Sequence, residues 1–325
     1  MKKIYLIMML ILSVSIISAC AASNGLVTSI ESVEVSKNGE NKDSKVELDK
    51  SVKLVFGMMP SDSSAPIVVA SKLGYFEEVG IEVDLNLFFS AKDRDSALLS
   101  GNLDGADYDL ITAITSISNG SEFKVAYRSN GDFKLMSNAG TLDNIAGKSV
   151  GISENTIIEY YVDKIMASNN IDKGVVKKEI IPQIPVRLQM LEAGKLDMAL
   201  LPDPLATLST VNGGLVLANS SDYGENIGAF VFTDKFISEN GQAIKKFAIA
   251  YDKAAKFIDE NENKEYIDYL ISDLGFPEPV RQTLELVKFG ELKIHDTETF
   301  NEVLVWLKDK KLLETEILYK DVFMK

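Results

Sequence analysis

Arg94-Asp95-Ser96-Ala97-Leu98-Leu99-Ser100-Gly101-Asn102-Leu103-Asp104-Gly105-Ala106 returns 93 residues later as Arg187-Leu188-Gln189-Met190-Leu191-Glu192-Ala193-Gly194-Lys195-Leu196-Asp197-Met198-Ala199, with six identities in thirteen positions. The shared Arg, Leu, Gly, Leu, Asp and Ala describe one local shape. A helix carrying arginine and leucine ends on glycine, which takes left-handed backbone without a Cβ penalty. Leucine then packs down and aspartate opens a strand. A corner of this kind written twice predicts two α/β lobes of similar build.

Working outward from the first corner, Val52 to Gly57 reads as a short buried strand. Ser61-Asp62-Ser63-Ser64 caps a helix from Ala65 to Leu73, and Ile81-Glu82-Val83-Asp84-Leu85 alternates as a strand does. A helix from Lys92 to Ser100, a strand from Gly105 to Asp109 and a helix from Leu110 follow. Around the second corner the same order recurs: strand Gly147 to Ile152, helix Thr156 to Ser168, strand Val175 to Ile181, helix Pro185 to Ala193, strand Leu196 to Leu201 and helix Pro204 to Thr210. Such alternation is the mark of βα units about a mainly parallel sheet. The apolar strand Gly228 to Phe232 returns the chain. The helical patterns Gly241 to Asp259, Lys264 to Ser272 and Thr297 to Leu307 are expected to complete the first lobe.

Composition narrows the chemistry. The chain has 325 residues, 46% of them hydrophobic, and a formal net charge of −14. Its field repels phosphate, so nucleic acid is excluded as a partner. One histidine and one cysteine are too few for a structural zinc site, and they leave His295 as the only imidazole base for a Cys–His pair or a Ser–His–Asp triad. His295 stands in a polar stretch and is expected at the surface.

The cysteine has its own explanation. Lys2 and Lys3 precede an apolar run from Ile4 to Ile17, too short at about 21 Å to cross a bilayer core of about 30 Å. With small residues before a cut, the segment reads as a secretory signal. Its end, Ile17-Ser18-Ala19-Cys20, resembles a bacterial lipobox, which implies cleavage after residue 19 and acylation of Cys20. Residues 20–50, rich in Ser, Asn, Glu, Lys and Gly, read as a tether from a lipid anchor to the folded body. The protein is thus expected outside the cytoplasm, held to the cell membrane by lipid on Cys20.

Ser63-Ser64-Ala65-Pro66-Ile67-Val68-Val69-Ala70 with Leu73-Gly74-Tyr75-Phe76-Glu77-Glu78-Val79-Gly80-Ile81-Glu82-Val83 resembles the opening of the sulfonate/nitrate/thiamine-precursor solute-binding proteins. The corners Gly101-Asn102-Leu103-Asp104 and Gly194-Lys195-Leu196-Asp197 fit that family, as does Leu142-Asp143-Asn144-Ile145-Ala146-Gly147-Lys148-Ser149-Val150-Gly151. The resemblance covers roughly Val52 to Phe236 and carries no ligand identity. It implies an α/β, type II periplasmic-binding-protein fold, two α/β lobes joined by two crossing strands, here near Phe133 to Ser137 and Ala229 to Phe232. Lobe one is then residues 51–137 plus 226–325, and lobe two 138–225. The implied role is delivery of a small-molecule ligand to an ABC permease and its ATPase subunit, as a monomer with no cofactor, no metal and no catalytic residue. The alternatives are a ligand-sensing lipoprotein for signalling and a pyrimidine-synthase-like enzyme. That enzyme depends on a cysteine cluster and an active-site histidine, whereas this body has no cysteine and His295 lies outside the expected cleft loops.

In open α/β sheets ligands sit beyond the carboxyl ends of the strands, where helix N-termini point inward. The rule selects Asp62, Ser63, Ser90, Asp109 and Thr112 in the first lobe and Asn155, Thr156, Gln183 and Asp203 in the second. Asp132 near the crossing and Arg187 complete the set. Many of these residue types also serve as plain helix caps. Aspartates facing a ligand favour an amine, amidine or aminopyrimidine. Arg94 and Arg187, two of four arginines, suit either an anion clamp or an ion pair with an acid on their own helix, such as Asp93 or Glu192. Phe88, Phe89, Tyr108, Tyr160 and Tyr161 are candidates to stack a flat ring, with one of Phe88 and Phe89 in the core. The ligand's charge stays open.

Overall fold

The computed structural model describes residues 51–261 and 264–325; the expected signal, Cys20 and the tether lie outside the described residues. The first half runs β1 (Val52–Met58), α1 (Ala65–Lys72), α2 (Tyr75–Glu78), β2 (Ile81–Leu87), α3 (Ala91–Leu99), β3 (Gly105–Asp109), α4 (Leu110–Ser118) and β4 (Phe123–Ser129). After β5 (Phe133–Ser137) come β6 (Ser149–Ile152), α5 (Ile157–Ser168), β7 (Lys177–Ile180), α6 (Ile184–Glu192), β8 (Met198–Pro202), α7 (Leu205–Val211) and β9 (Leu215–Asn219). The chain closes with β10 (Gly228–Thr233), α8 (Asp234–Glu260), α9 (Ile267–Leu274), α10 (Thr297–Asp309) and α11 (Tyr319–Val322).

Two five-stranded sheets result, ordered β2-β1-β3-β10-β4 and β7-β6-β8-β5-β9. In each, three parallel strands are followed by an antiparallel strand that arrives from the other half of the chain. β10 pairs with β3 and β4, and β5 with β8 and β9. β5, counted with the first lobe in the sequence reading, therefore hydrogen-bonds in the second sheet. The edge strands β4 and β9 were not anticipated. Each follows a helix and has a crossing strand as its neighbour in the sheet, so no βα unit announces it.

The repeat holds at the level of register. Phe56 and Gly57 face Gly105 and Ala106; Val150 and Gly151 face Met198 and Ala199. Asp104 accepts the Val55 N–H at 2.9 Å, and Asp197 accepts the Ser149 N–H at 2.8 Å. Both corners turn on a left-handed glycine, Gly101 at φ 76° and Gly194 at φ 65°. Even the irregularities match: the register slips between Phe230 and Val231 against β4, and between Leu135 and Met136 against β9. Such bulges increase the local twist at a sheet edge.

Burial follows the layers. Leu54, Phe56, Phe230, Phe232 and Phe247 pack one face of the first sheet beneath α1 and α8. A second cluster runs through α4, α5 and α10, and a third joins Leu188, Leu191 and Leu201 under α6. The C-terminal helices do not serve the first lobe alone. α10 packs on α4, yet Lys310 meets Glu159 at 2.6 Å and Trp306 Nε1–H donates to Asp163 at 3.1 Å, both acids on α5.

Gly105 lies close against the backbone of the neighbouring strand β10. A Cβ there would lie 2.8 Å from the Val231 carbonyl and 2.7 Å from the Phe232 ring, whereas at Gly57 its nearest neighbour is the movable end of Leu103. Gly105→Ala is therefore expected to destabilise the protein by about 2–3 kcal/mol and Gly57→Ala by less, as overpacking against a fixed backbone costs more. Urea unfolding of the two variants checks the order.

Candidate functional site

The cavity lies where the two sheets present their carboxyl ends. Both lobes line it, Asp62, Ser63, Arg94, Asp107 and Asp109 from one and Thr156, Ile157, Ile158, Ile184 and Arg187 from the other. Register explains the placement. β10 begins at Gly228 opposite Asp109, the last residue of β3, and β5 begins at Phe133 opposite Pro202, the last of β8. Each crossing strand thus enters its sheet at the cavity. Beside it the lobes touch, the Asp62 N–H donating to the Asp203 carbonyl at 3.1 Å.

Of the residues selected from the sequence, Asp62, Ser63, Asp109, Thr156 and Arg187 line this cavity. Ser90, Thr112, Asp132, Asn155, Gln183 and Asp203 are not among its lining residues, and local hydrogen bonds account for most of them. Ser90 caps α3 through the Asp93 N–H, and Thr112 donates to Asp109. Asp132 holds the Ser220 hydroxyl at 2.8 Å and the Phe133 N–H at 3.0 Å. Asp203 accepts from Thr207 at 2.6 Å and pairs with Lys134 at 2.5 Å. The Asn155 N–H goes to Glu159, while Gln183 is exposed at the start of α6 with no side-chain cap bond.

The two repeat-related arginines differ in a way their sequence positions hide. Arg94 is 4% exposed, forks onto Asp95 at 2.7 and 3.0 Å and lies 4.4 Å from the Tyr108 ring centroid. Its partner is thus Asp95, not Asp93, whose carboxylate accepts from Ser90. Burial opposes the charge on Arg94, but Asp95, Tyr108 and Asp109 outweigh it. Arg187 is 0% exposed, and its one hydrogen bond runs from Nη1 to the Leu200 carbonyl at 3.1 Å. Nε and Nη2 have no acceptor among the described residues. Glu192, the expected partner, accepts from Asn212 instead, and the position matching Asp95 is Leu188. Burial alone pushes Arg187 down to about 9, so it remains cationic at neutral pH.

On the facing wall the imbalance is reversed. Asp107, which the sequence reading passed over, accepts from Ser63 at 2.6 Å and from Ser129 at 3.0 Å. Its signal was Asp107 and Asp109 at alternate positions of a five-residue strand, hence on one face. Asp109 caps α4 through the Thr112 N–H at 2.8 Å, and burial raises it to about 6. Burial also raises Asp107. Burial and the nearby Asp203 raise Asp62 well above the carboxylate range. All three are 6% exposed or less, and none forms a salt bridge among the described residues. His295, expected at the surface, is 1% exposed. Its Nε2–H donates to the Gly228 carbonyl at 2.8 Å, fixing the start of β10, and burial pushes the imidazole down to about 4.

Asp109 gives a pH test. Its folded pKa, about 6, lies above the ordinary 3.9 of an unfolded chain, so the native state binds the proton more tightly. Its contribution is full below pH 4 and is lost as pH rises through 6, by about 2–3 kcal/mol. Asp109→Asn keeps the cap. It is expected to flatten the loss of stability between pH 4 and 6 and to melt higher at pH 7, read by thermal melts across that range.

The profile of the NMT1-like family matches residues 48–272. Among solved structures the chain is similar to the ligand-binding component of an ABC-type import system from Staphylococcus aureus with zinc bound, at 18% identity and TM-score 0.73 over 84% of this chain and 96% of that one. The alkanesulfonate-binding protein SsuA from Xanthomonas axonopodis pv. citri, bound to MOPS, is similar at 16% identity and TM-score 0.72 over 84% and 98%. The nitrate-binding protein NrtA from Synechocystis PCC 6803 is similar at 15% identity and TM-score 0.66 over 82% and 83%. No curated protein sequence matches the chain. The fold is the type II periplasmic-binding-protein fold, and with a profile match over most of its length the chain belongs to the NMT1-like family.

Proposed function

We propose that the protein is an extracytoplasmic solute receptor of an ABC importer, a binding module that performs no chemistry on its ligand. The observation that carries this reading is Arg187, buried, cationic and lacking an acceptor on two nitrogens in the wall of an interlobe cavity. An uncompensated buried charge costs several kcal/mol, which an incoming acceptor offsets. The similar structures described as import and binding components support the same role.

In this proposal the moving units are the two lobes drawn from the sequence, residues 51–137 plus 226–325 and 138–225, with β5 carried by the second. Solute touching both walls stabilises the closed form, and the permease recognises that form. Lipid on Cys20 and the tether to residue 50 hold the receptor at the outer face of the cell membrane, as a monomer beside the permease and its ATPase subunit. Ser90, Thr112, Asp132, Asn155 and Asp203 support the loops around the cleft and Gln183 stands exposed at the start of α6, while Asp62, Ser63, Asp109, Thr156 and Arg187 contact the ligand.

A binding role and a purely structural role for Arg187 predict opposite outcomes. Arg187→Met removes an unpaired charge while keeping an unbranched side chain. The ligand-free protein is expected to gain about 1–3 kcal/mol, a rise of about 2–4 °C in Tm for each kcal/mol. The same variant loses the thermal shift given by a bound solute, which reaches about 2.7 kcal/mol at 100 times Kd. A ligand-free variant that melts lower, yet keeps its solute response, would sink the proposal.

A further inference from the structure

Resting on the receptor reading, we propose that the solute is dipolar, with an anionic group held by Arg187 on the second lobe and a protonated amine or amidinium held by Asp107 and Asp109 on the first. The two halves of the repeat share a skeleton and have diverged to opposite charge. Where β3 carries Asp107 and Asp109, the matching positions of β8 are Leu200 and Pro202. Where α3 supplies Asp95 to neutralise Arg94, α6 supplies Leu188 beside Arg187. One wall is left basic and the other acidic.

These charges do not satisfy one another. Arg187 forms no ion pair, and neither do Asp107 and Asp109, among the described residues; the acids accept only from hydroxyl and backbone donors. A plain anion between the walls would satisfy Arg187 and leave the acids buried beside added negative charge. A plain cation would satisfy the acids and leave Arg187 without an acceptor. A solute bearing both charges compensates both walls with the acids ionised, and since burial favours whichever ionic state finds its partner, it draws the acids into that form. Orientation follows, acid end toward Arg187. Arg187 is held for this: its stem passes within 3.2 Å of where a Cβ on Gly151 would sit, so the glycine leaves the room that keeps the guanidinium in the wall.

The test uses the full-length protein and ω-amino carboxylates of three to six carbons, each beside two charged controls, the fatty acid and the alkylamine of equal length, and beside the neutral primary alcohol of that length, with binding read by calorimetry. The best ω-amino carboxylate is expected to bind at least thirtyfold tighter than either control. Arg187→Gln brings it down to the level of the amine, and Asp107→Asn with Asp109→Asn brings it to the level of the fatty acid. A control binding within threefold of the dipolar compound overturns the inference, as does tighter binding of a neutral solute, and both leave the receptor reading in place. Failure of every solute, charged or neutral, overturns both. The comparison among solutes is made on the unsubstituted protein, so it stands even where a variant fails to fold.

Discussion

Neither sheet is complete from its own half of the chain. The fourth strand of each is supplied by the other half, β10 to the first and β5 to the second, and most of what matters here follows from that exchange. An antiparallel strand entering beside β3 or β8 must begin where that strand ends. Gly228 therefore lies opposite Asp109, and Phe133 opposite Pro202. Both crossings are thereby forced to the carboxyl edges, the place where strand-to-helix loops gather and where ligands bind in open sheets. The deeply buried polar groups nearby secure these crossings: His295 on the Gly228 carbonyl, Asp132 on Ser220 and the Phe133 N–H, Asp203 on Lys134 of β5.

The skeleton of the repeat was legible because it is written in residues whose roles are local. A left-handed glycine, a packed leucine and a strand-opening aspartate specify a corner whatever surrounds them, and Asp104 and Asp197 perform the same backbone bond in both lobes. The crossing strands were legible as apolar runs in the right order. The edge strands β4 and β9 were not, because their identity comes from tertiary pairing with a strand distant in sequence.

The candidate site was only partly legible, for a different reason. A serine or aspartate before a helix looks the same whether its side chain closes on the helix or turns to a ligand. Ser90 and Asp203 close on their own helices, whereas Asp109 does so and still lines the cavity. No spacing separates these cases. Asp107 was hidden by sitting inside a strand rather than in a loop, and His295 by a polar neighbourhood in sequence that is not its neighbourhood in space. The arginines illustrate the limit best. Their equivalence is plain, yet the decisive fact is the residue beside each, Asp95 in one and Leu188 in the other.

That one difference turns a symmetric frame into a polar cleft. Two lobes descended from one pattern would present like walls to whatever lay between them, and like walls hold a symmetric ligand or none in particular. Capping Arg94 with Asp95 and placing Asp107 and Asp109 behind it removes the positive charge from one wall. Leaving Arg187 uncapped keeps it on the other. Each wall is then less stable empty than an apolar one of equal volume would be, since buried charges without partners are costly. A frame held by glycine corners, paired bulges and aromatic layers such as Phe56, Phe230 and Phe247 can carry that cost. The strain is confined to the cavity walls, so on the proposed reading closure about a dipolar solute would relieve both walls at once, and closure without it would relieve neither.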